Sequence, residues 1–112
     1  MELMKLIIEI IDIYKPPRML LHSLVYLYMR NNNRDLRWSL TISGVYSPIV
    51  EEIIEELIEA ERVKVCENGR LTRDTCPDEE FDGYIYASKA VNKYLIEETV
   101  NFLEEKNLQV IH

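Results

Sequence analysis

The residues of this chain with the most chemistry to offer are few. Cys66, Cys76, His22 and His112 are the sulfur and imidazole groups open to zinc. Structural zinc wants paired short spacings, and these four fit none. No phosphate-cradling glycine loop, nucleophile elbow or metal-binding histidine pair marks a catalytic centre. Carboxylates are plentiful, but they fall on a solvated face rather than in a shielded pocket that would shift a pKa. The sequence therefore predicts no enzyme, no metal and no cofactor.

The sharpest grouping is acidic. Glu51, Glu52, Glu55, Glu56 and Glu59 make like-charge pairs at i,i+4, with no lysine between them. Each such pair costs about 0.2–0.5 kcal/mol in a helix. This face either docks a basic protein partner, as a candidate protein-interaction surface, or is simply solvated. The second grouping is basic. Arg30, Arg34 and Arg37, then Arg62, Lys64, Arg70 and Arg73, are candidate DNA-backbone contacts, with Trp38 and Tyr46 close enough in sequence to stack. The alternative is internal pairing with the acidic helix and the acidic 77–82 segment. Trp38 is in phase with Leu36 and Leu40 and is expected in the core. His22 lies in an apolar helix and is expected to be a satisfied core or boundary histidine.

The elements that must position these groups follow from pattern. The chain has 112 residues, 47% hydrophobic and 29% charged, which suits one globular domain over 1–112. Its net charge is −7, so it would not coat nucleic acid non-specifically. The charge is blocked: 15–47 is basic but for Asp35, and every charge in 48–61 is a glutamate. The N-terminus has no basic n-region, and Glu9 and Asp12 interrupt its apolar run, so it is not a signal peptide. The run from Met19 to Met29 is about half the length of a membrane span. These features predict a cytoplasmic chain with no membrane contact and reduced thiols.

Apolar spacing predicts a helix over 2–14, broken by Pro16-Pro17, and a well-buried helix from 18 to about 30, ended by Asn31-Asn32-Asn33. Strict alternation over 35–43 predicts a half-buried strand, with Gly44-Val45-Tyr46 as a turn. Ser47-Pro48 opens a third helix over 48–61, with serine at the N-cap and proline at the first position. Residues 62–74 read as a hairpin around Asn68-Gly69. A two-residue loop would place Lys64 opposite Arg73; a three-residue loop would pair Val65 with Leu71, which the hydrophobic pattern favours. In neither register does Cys66 face Cys76, so a disulfide would need the chain to fold back. Residues 77–87 read as acidic and irregular. A last helix is expected over 88–106, with Val91, Tyr94, Leu95, Glu98, Phe102 and Leu103 on one side, and a short strand over 108–111.

The order helix, helix, short strand, helix, hairpin resembles the winged-helix superfamily, through GVYSPIVEEIIEELIEAERVKVCENGRLTRD at 44–74. The Gly44-Val45-Tyr46-Ser47 entry looks like the start of this helix in some small prokaryotic proteins. Glu56-Leu57-Ile58-Glu59-Ala60, Val63 and Leu71-Thr72 are similar to the pattern in PadR- and MarR-type regulators. The resemblance implies a mainly α (α+β) winged helix-turn-helix with one β-hairpin wing and additional N- and C-terminal helices. It further implies that helix 48–61 holds the DNA-recognition position, and that terminal helices pair in a homodimer. Many relatives carry glycine where this chain has Glu61, so that turn is expected to strain or to differ. The acid of helix 48–61 opposes major-groove reading, since five glutamates would repel the flanking phosphates. The favoured function is thus a non-catalytic regulatory module that binds a protein partner through the acidic face. The alternative is a transcriptional regulator that contacts double-stranded DNA through the wing and the basic 30–37 segment.

Overall fold

A computed structural model describes residues 2–29 and 34–106. The fold is mainly helical, with α1 (Glu2–Tyr14), α2 (Arg18–Tyr28), α3 (Pro48–Glu59) and α4 (Tyr84–Glu105). A 3₁₀ turn (Arg34–Leu36) leads into β1 (Ser39–Thr41) and β2 (Gly44–Tyr46), and β3 (Lys64–Val65) pairs with β4 (Leu71–Thr72). Among the described residues, no helix is long and apolar enough to cross a membrane.

One apolar stripe from each of the first three helices builds the main core: Ile7, Ile10 and Ile11 from α1, Leu21, Leu24 and Val25 from α2, and Val50, Ile53, Ile54 and Leu57 from α3. Val63 and Leu71 close it from the β3–β4 side. A smaller cluster of Tyr26, Val45 and Ala90 joins α2, β2 and α4, with Trp38 and Tyr94 packed against it.

The proline pair does more than stop α1. Lys15 takes a left-handed backbone (φ 47°), and the turned chain presents the Pro16 carbonyl to the Leu71 amide at 2.9 Å. The α1–α2 corner is thereby stitched to β4. The β3–β4 register pairs Lys64 with Thr72 and Val65 with Leu71, the pairing that the hydrophobic pattern favours. Leu71 and Thr72 are buried; Val65 is 53% exposed.

Residues 35–43 depart from the predicted strand. The segment is a 3₁₀ turn, then a hairpin whose second strand is Gly44–Tyr46, the stretch expected to be the turn. Among the described residues there are two hairpins, not one. The Thr41 side chain explains the reversal: its Oγ1 donates to the Gly44 carbonyl at 2.8 Å and accepts from the Ser43 amide at 3.2 Å. A hydroxyl bonding nearby backbone in this way closes a tight turn. Gly44, at φ 120°, supplies backbone freedom that other residues lack. Leu40 and Ile42, expected to face inward, are exposed.

The cysteines also correct the sequence reading. Cys66 and Cys76 form a disulfide across a Cα–Cα distance of 5.8 Å, not a pair of reduced thiols. The chain does fold back after β4, and Asn68 holds it there by donating from Nδ2 to the carbonyls of Pro77 (2.9 Å) and Glu79 (3.1 Å). Closing a loop of this size contributes about 3 kcal/mol in the chain-entropy picture.

At the end of α3 the Arg62 amide bonds the Leu57 carbonyl at 2.9 Å, and Glu61 sits left-handed at φ 58°, the strain expected at this position. Glu61 is exposed. Glu61→Gly is therefore expected to stabilise the protein by about 0.5–1 kcal/mol, since glycine carries no Cβ penalty there. Urea denaturation would show the midpoint rise with the slope unchanged.

Helix α4 starts at Tyr84 rather than Ser88. Gly83 permits the entry: a Cβ there would lie 2.5 Å from Leu20 Cδ1 and from the Phe81 ring. Ala90 is buried, while Tyr86, Lys93, Tyr94 and Glu97 are half-buried around it. Of the side chains expected on one face, Tyr94 packs inward, Val91 and Leu103 are half-buried, and Leu95, Glu98 and Phe102 are exposed. The predicted 108–111 strand, His112, Arg30 and the Asn31–Asn33 terminator lie outside the described residues.

Candidate interaction face and the polar cluster beneath it

Helix α3 is set by its first turn. Ser47 accepts the Val50 amide on Oγ (3.2 Å) and donates the same hydroxyl to the Leu36 carbonyl (2.5 Å). The cap thus both satisfies an orphan amide and fastens α3 to the 3₁₀ turn. The buried stripe then turns Glu52, Glu55, Glu56 and Glu59 to solvent.

Glu51 does not belong to that face. Its side chain is only 16% exposed and enters a cluster with α2. Oε1 accepts from Arg18 Nε, Oε2 lies 2.9 Å from His22 Nε2, and Arg18 Nη2 reaches on to Glu55 at 3.2 Å. A helical wheel puts Glu51 among the outward glutamates; two donors from α2 draw it in.

His22 is fully buried and stacks on Tyr46 at 4.8 Å. The Ser47 amide donates to Nδ1 at 3.2 Å, so Nδ1 carries no proton. Nε2 then carries it and donates to Glu51. The imidazole is neutral, and its bond to Glu51 is a charge-assisted hydrogen bond. Burial lowers the His22 pKa below 6.5, against the opposing pull of the Glu51 carboxylate. Burial pushes Glu51 up, but hydrogen bonds from His22 and Arg18 together outweigh it and hold the group below 4.5.

Both shifts make acid destabilising. Above pH 6.5 the His22 contribution is complete, because neither state binds the proton. As pH falls below 6.5 the unfolded chain binds a proton the folded one refuses, and stability drops until the folded pKa is passed. Glu51 adds its own loss below 4.5. Unfolding free energy is expected to fall between pH 7 and pH 5, and urea titrations should show a flatter profile in His22→Gln.

The predicted cationic contacts separate into two sets. Arg70 donates from Nε to the Lys15 carbonyl (2.7 Å), from Nη2 to the Tyr14 carbonyl (2.9 Å) and from Nη1 to the Glu79 carbonyl (3.0 Å). It also lies 5.3 Å from the Phe81 ring centroid. Its guanidinium closes the carbonyl end of α1, where a cation suits the helix dipole. Arg73 forks onto Asp12 of α1 through Nε (3.0 Å) and Nη2 (3.2 Å). Arg70 is half-buried and Arg73, though exposed, is paired; Arg37, Arg62 and Lys64 are exposed. Arg34 begins the 3₁₀ turn. The candidate stacking rings are also engaged: Trp38 meets Tyr26 edge-on at 4.9 Å, and Tyr46 covers His22.

Comparison with family models, with curated proteins and with solved structures finds no match to this chain.

Two structurally important residues escaped the sequence reading. Arg18 sits in the first turn of α2, where a cation opposes the helix dipole; that misplacement was the available signal of an acidic partner. Lys93 donates Nζ to the carbonyls of Tyr26 (3.1 Å) and Met29 (3.0 Å), ending α2 from α4. Tyr26 donates its hydroxyl to Glu97, and burial together with this bond raises its pKa.

Proposed function

We propose that the chain is a non-catalytic, winged-helix-type regulatory module that docks a basic segment of a protein partner on α3. The observation that carries this reading is the fate of the charges. Arg70 is spent on three backbone carbonyls and Arg73 is paired with Asp12 at the surface, while Glu52, Glu56 and Glu59 stand exposed with no ion pair among the described residues. Glu55 shares its edge with Arg18. Three uncompensated carboxylates on a rigid, capped helix favour an Arg- or Lys-rich partner, steering its approach and fixing its register. DNA-backbone contact is the second reading, and the exposure of Arg37, Arg62 and Lys64 favours it.

The test is a titration with an Arg/Lys-rich peptide of about 15 residues, followed by fluorescence anisotropy. The triple variant Glu52→Gln, Glu56→Gln, Glu59→Gln is expected to weaken binding about tenfold or more. A control with Glu79→Gln, Glu80→Gln and Asp82→Asn removes equal charge elsewhere and is expected to change affinity less than about twofold, because exposed distant charges are screened. Equal losses in both variants would sink the docking face.

A further inference from the structure

We infer that the Cys66–Cys76 disulfide is a thiol-exchange site, entered through its own cavity and selective for neutral or cationic thiols over anionic ones. A cavity of about 300 Å³ is lined by both half-cystines together with Glu67, Asn68, Pro77 and Asp78. Cys66 is buried, and Cys76 is the more open half. The far wall does not depend on the disulfide, because Asn68 holds Pro77 and Glu79 by their carbonyls. Asn68 and Pro77, both on the lining, are thus joined by a bond other than the bridge. Glu67 and Asp78, both exposed, stand on its lining as two carboxylates. A thiol bearing a carboxylate meets like charge there; an aminothiol meets opposite charge.

The exchange balances with two equivalents of a low-molecular-weight thiol RSH. A thiolate attacks Cys76 Sγ; the new S–S bond forms as the bond to Cys66 breaks, and the electron pair leaves on the Cys66 sulfur, which takes up the proton the thiol released. A second thiol attacks the RS sulfur of the mixed disulfide, frees Cys76 as a thiol and departs as RSSR. Two electrons pass from the two thiols to the protein disulfide.

The experiment measures disulfide loss in the full-length oxidised chain, by alkylation and mass, with cysteamine, 2-mercaptoethanol and mercaptoacetate. Each rate is divided by that thiol's rate on a small neutral disulfide, which removes differences in intrinsic nucleophilicity. At about 0.01 M salt, cysteamine is expected to exceed mercaptoacetate by about five- to tenfold; at about 1 M the gap should fall below about twofold. Glu67→Gln with Asp78→Asn should close the gap at low salt, raising the mercaptoacetate rate most and the 2-mercaptoethanol rate less, because the attacking thiolates carry two charges and one. Glu104→Gln with Glu105→Gln, which removes the same two negative charges from the exposed end of α4, should leave the gap in place. The inference is overturned by equal closure in both double variants, by relative rates that ignore thiol charge, by reduction that proceeds only in urea, or by two alkylatable thiols in the untreated native protein.

Discussion

Arg70→Ala is expected to lower the unfolding free energy by about 3 kcal/mol, because three backbone carbonyls lose a charged donor at once. A domain of this size should then melt on the order of 10 °C lower. The three acceptors come from the end of α1, the turn after it and the segment that follows the disulfide, so one guanidinium joins parts of the chain distant in sequence. Arg70→Lys should recover little, since an ammonium is a point charge and cannot fork over three acceptors. Arg73→Ala, which frees only the exposed Asp12, is expected to cost under about 1 kcal/mol. Calorimetry on the three variants would show this order. An Arg70→Ala protein that melts within about 2 °C of the parent would mean that the guanidinium is a spare surface cation, which is what a phosphate contact would require.

His22→Leu is expected to cost about 3 kcal/mol as well, for a different reason. It leaves the buried Ser47 amide without an acceptor and the half-buried Glu51 carboxylate without one of its two donors. Removing both ends of the bond, in His22→Leu with Glu51→Met, should be milder than the single substitution, because no buried charge is then stranded. Glu55→Gln, which loosens only the exposed Arg18 contact, should cost less than about 0.5 kcal/mol. A double variant less stable than the single one in urea would contradict this account of the cluster.

These two residues mark where the sequence could and could not be read. Helices α1 and α3 were legible because period, breaker and cap agree: Pro16-Pro17 ends one, and Ser47-Pro48 begins the other. The 36–42 alternation misled because a period of two does not distinguish one strand from a hairpin arm plus its turn. The turn was made by Thr41 together with Ser43-Gly44, just before the Gly44-Val45-Tyr46 turn that was expected. The disulfide was hidden by the coil after β4, whose return depends on Asn68 bonding backbone carbonyls; such acceptors leave no trace in side-chain types. The same holds for Arg70 and Lys93, whose partners are all or mostly main-chain carbonyls. On the candidate face, periodicity located four outward glutamates correctly, and it misassigned Glu51 because the partners that draw it in lie on another helix.

Fluorescence anisotropy with a labelled generic duplex at about 50 mM and about 200 mM salt, a range over which phosphate contacts lose affinity steeply, separates protein docking from DNA contact. With Arg70 held by backbone carbonyls, Arg73 paired with Asp12 and α3 acidic, no saturable binding is expected at either concentration. Binding that is tight at the lower salt, collapses at the higher, and disappears in Arg37→Ala, Arg62→Ala, Lys64→Ala would contradict the protein-docking reading and assign the chain to DNA.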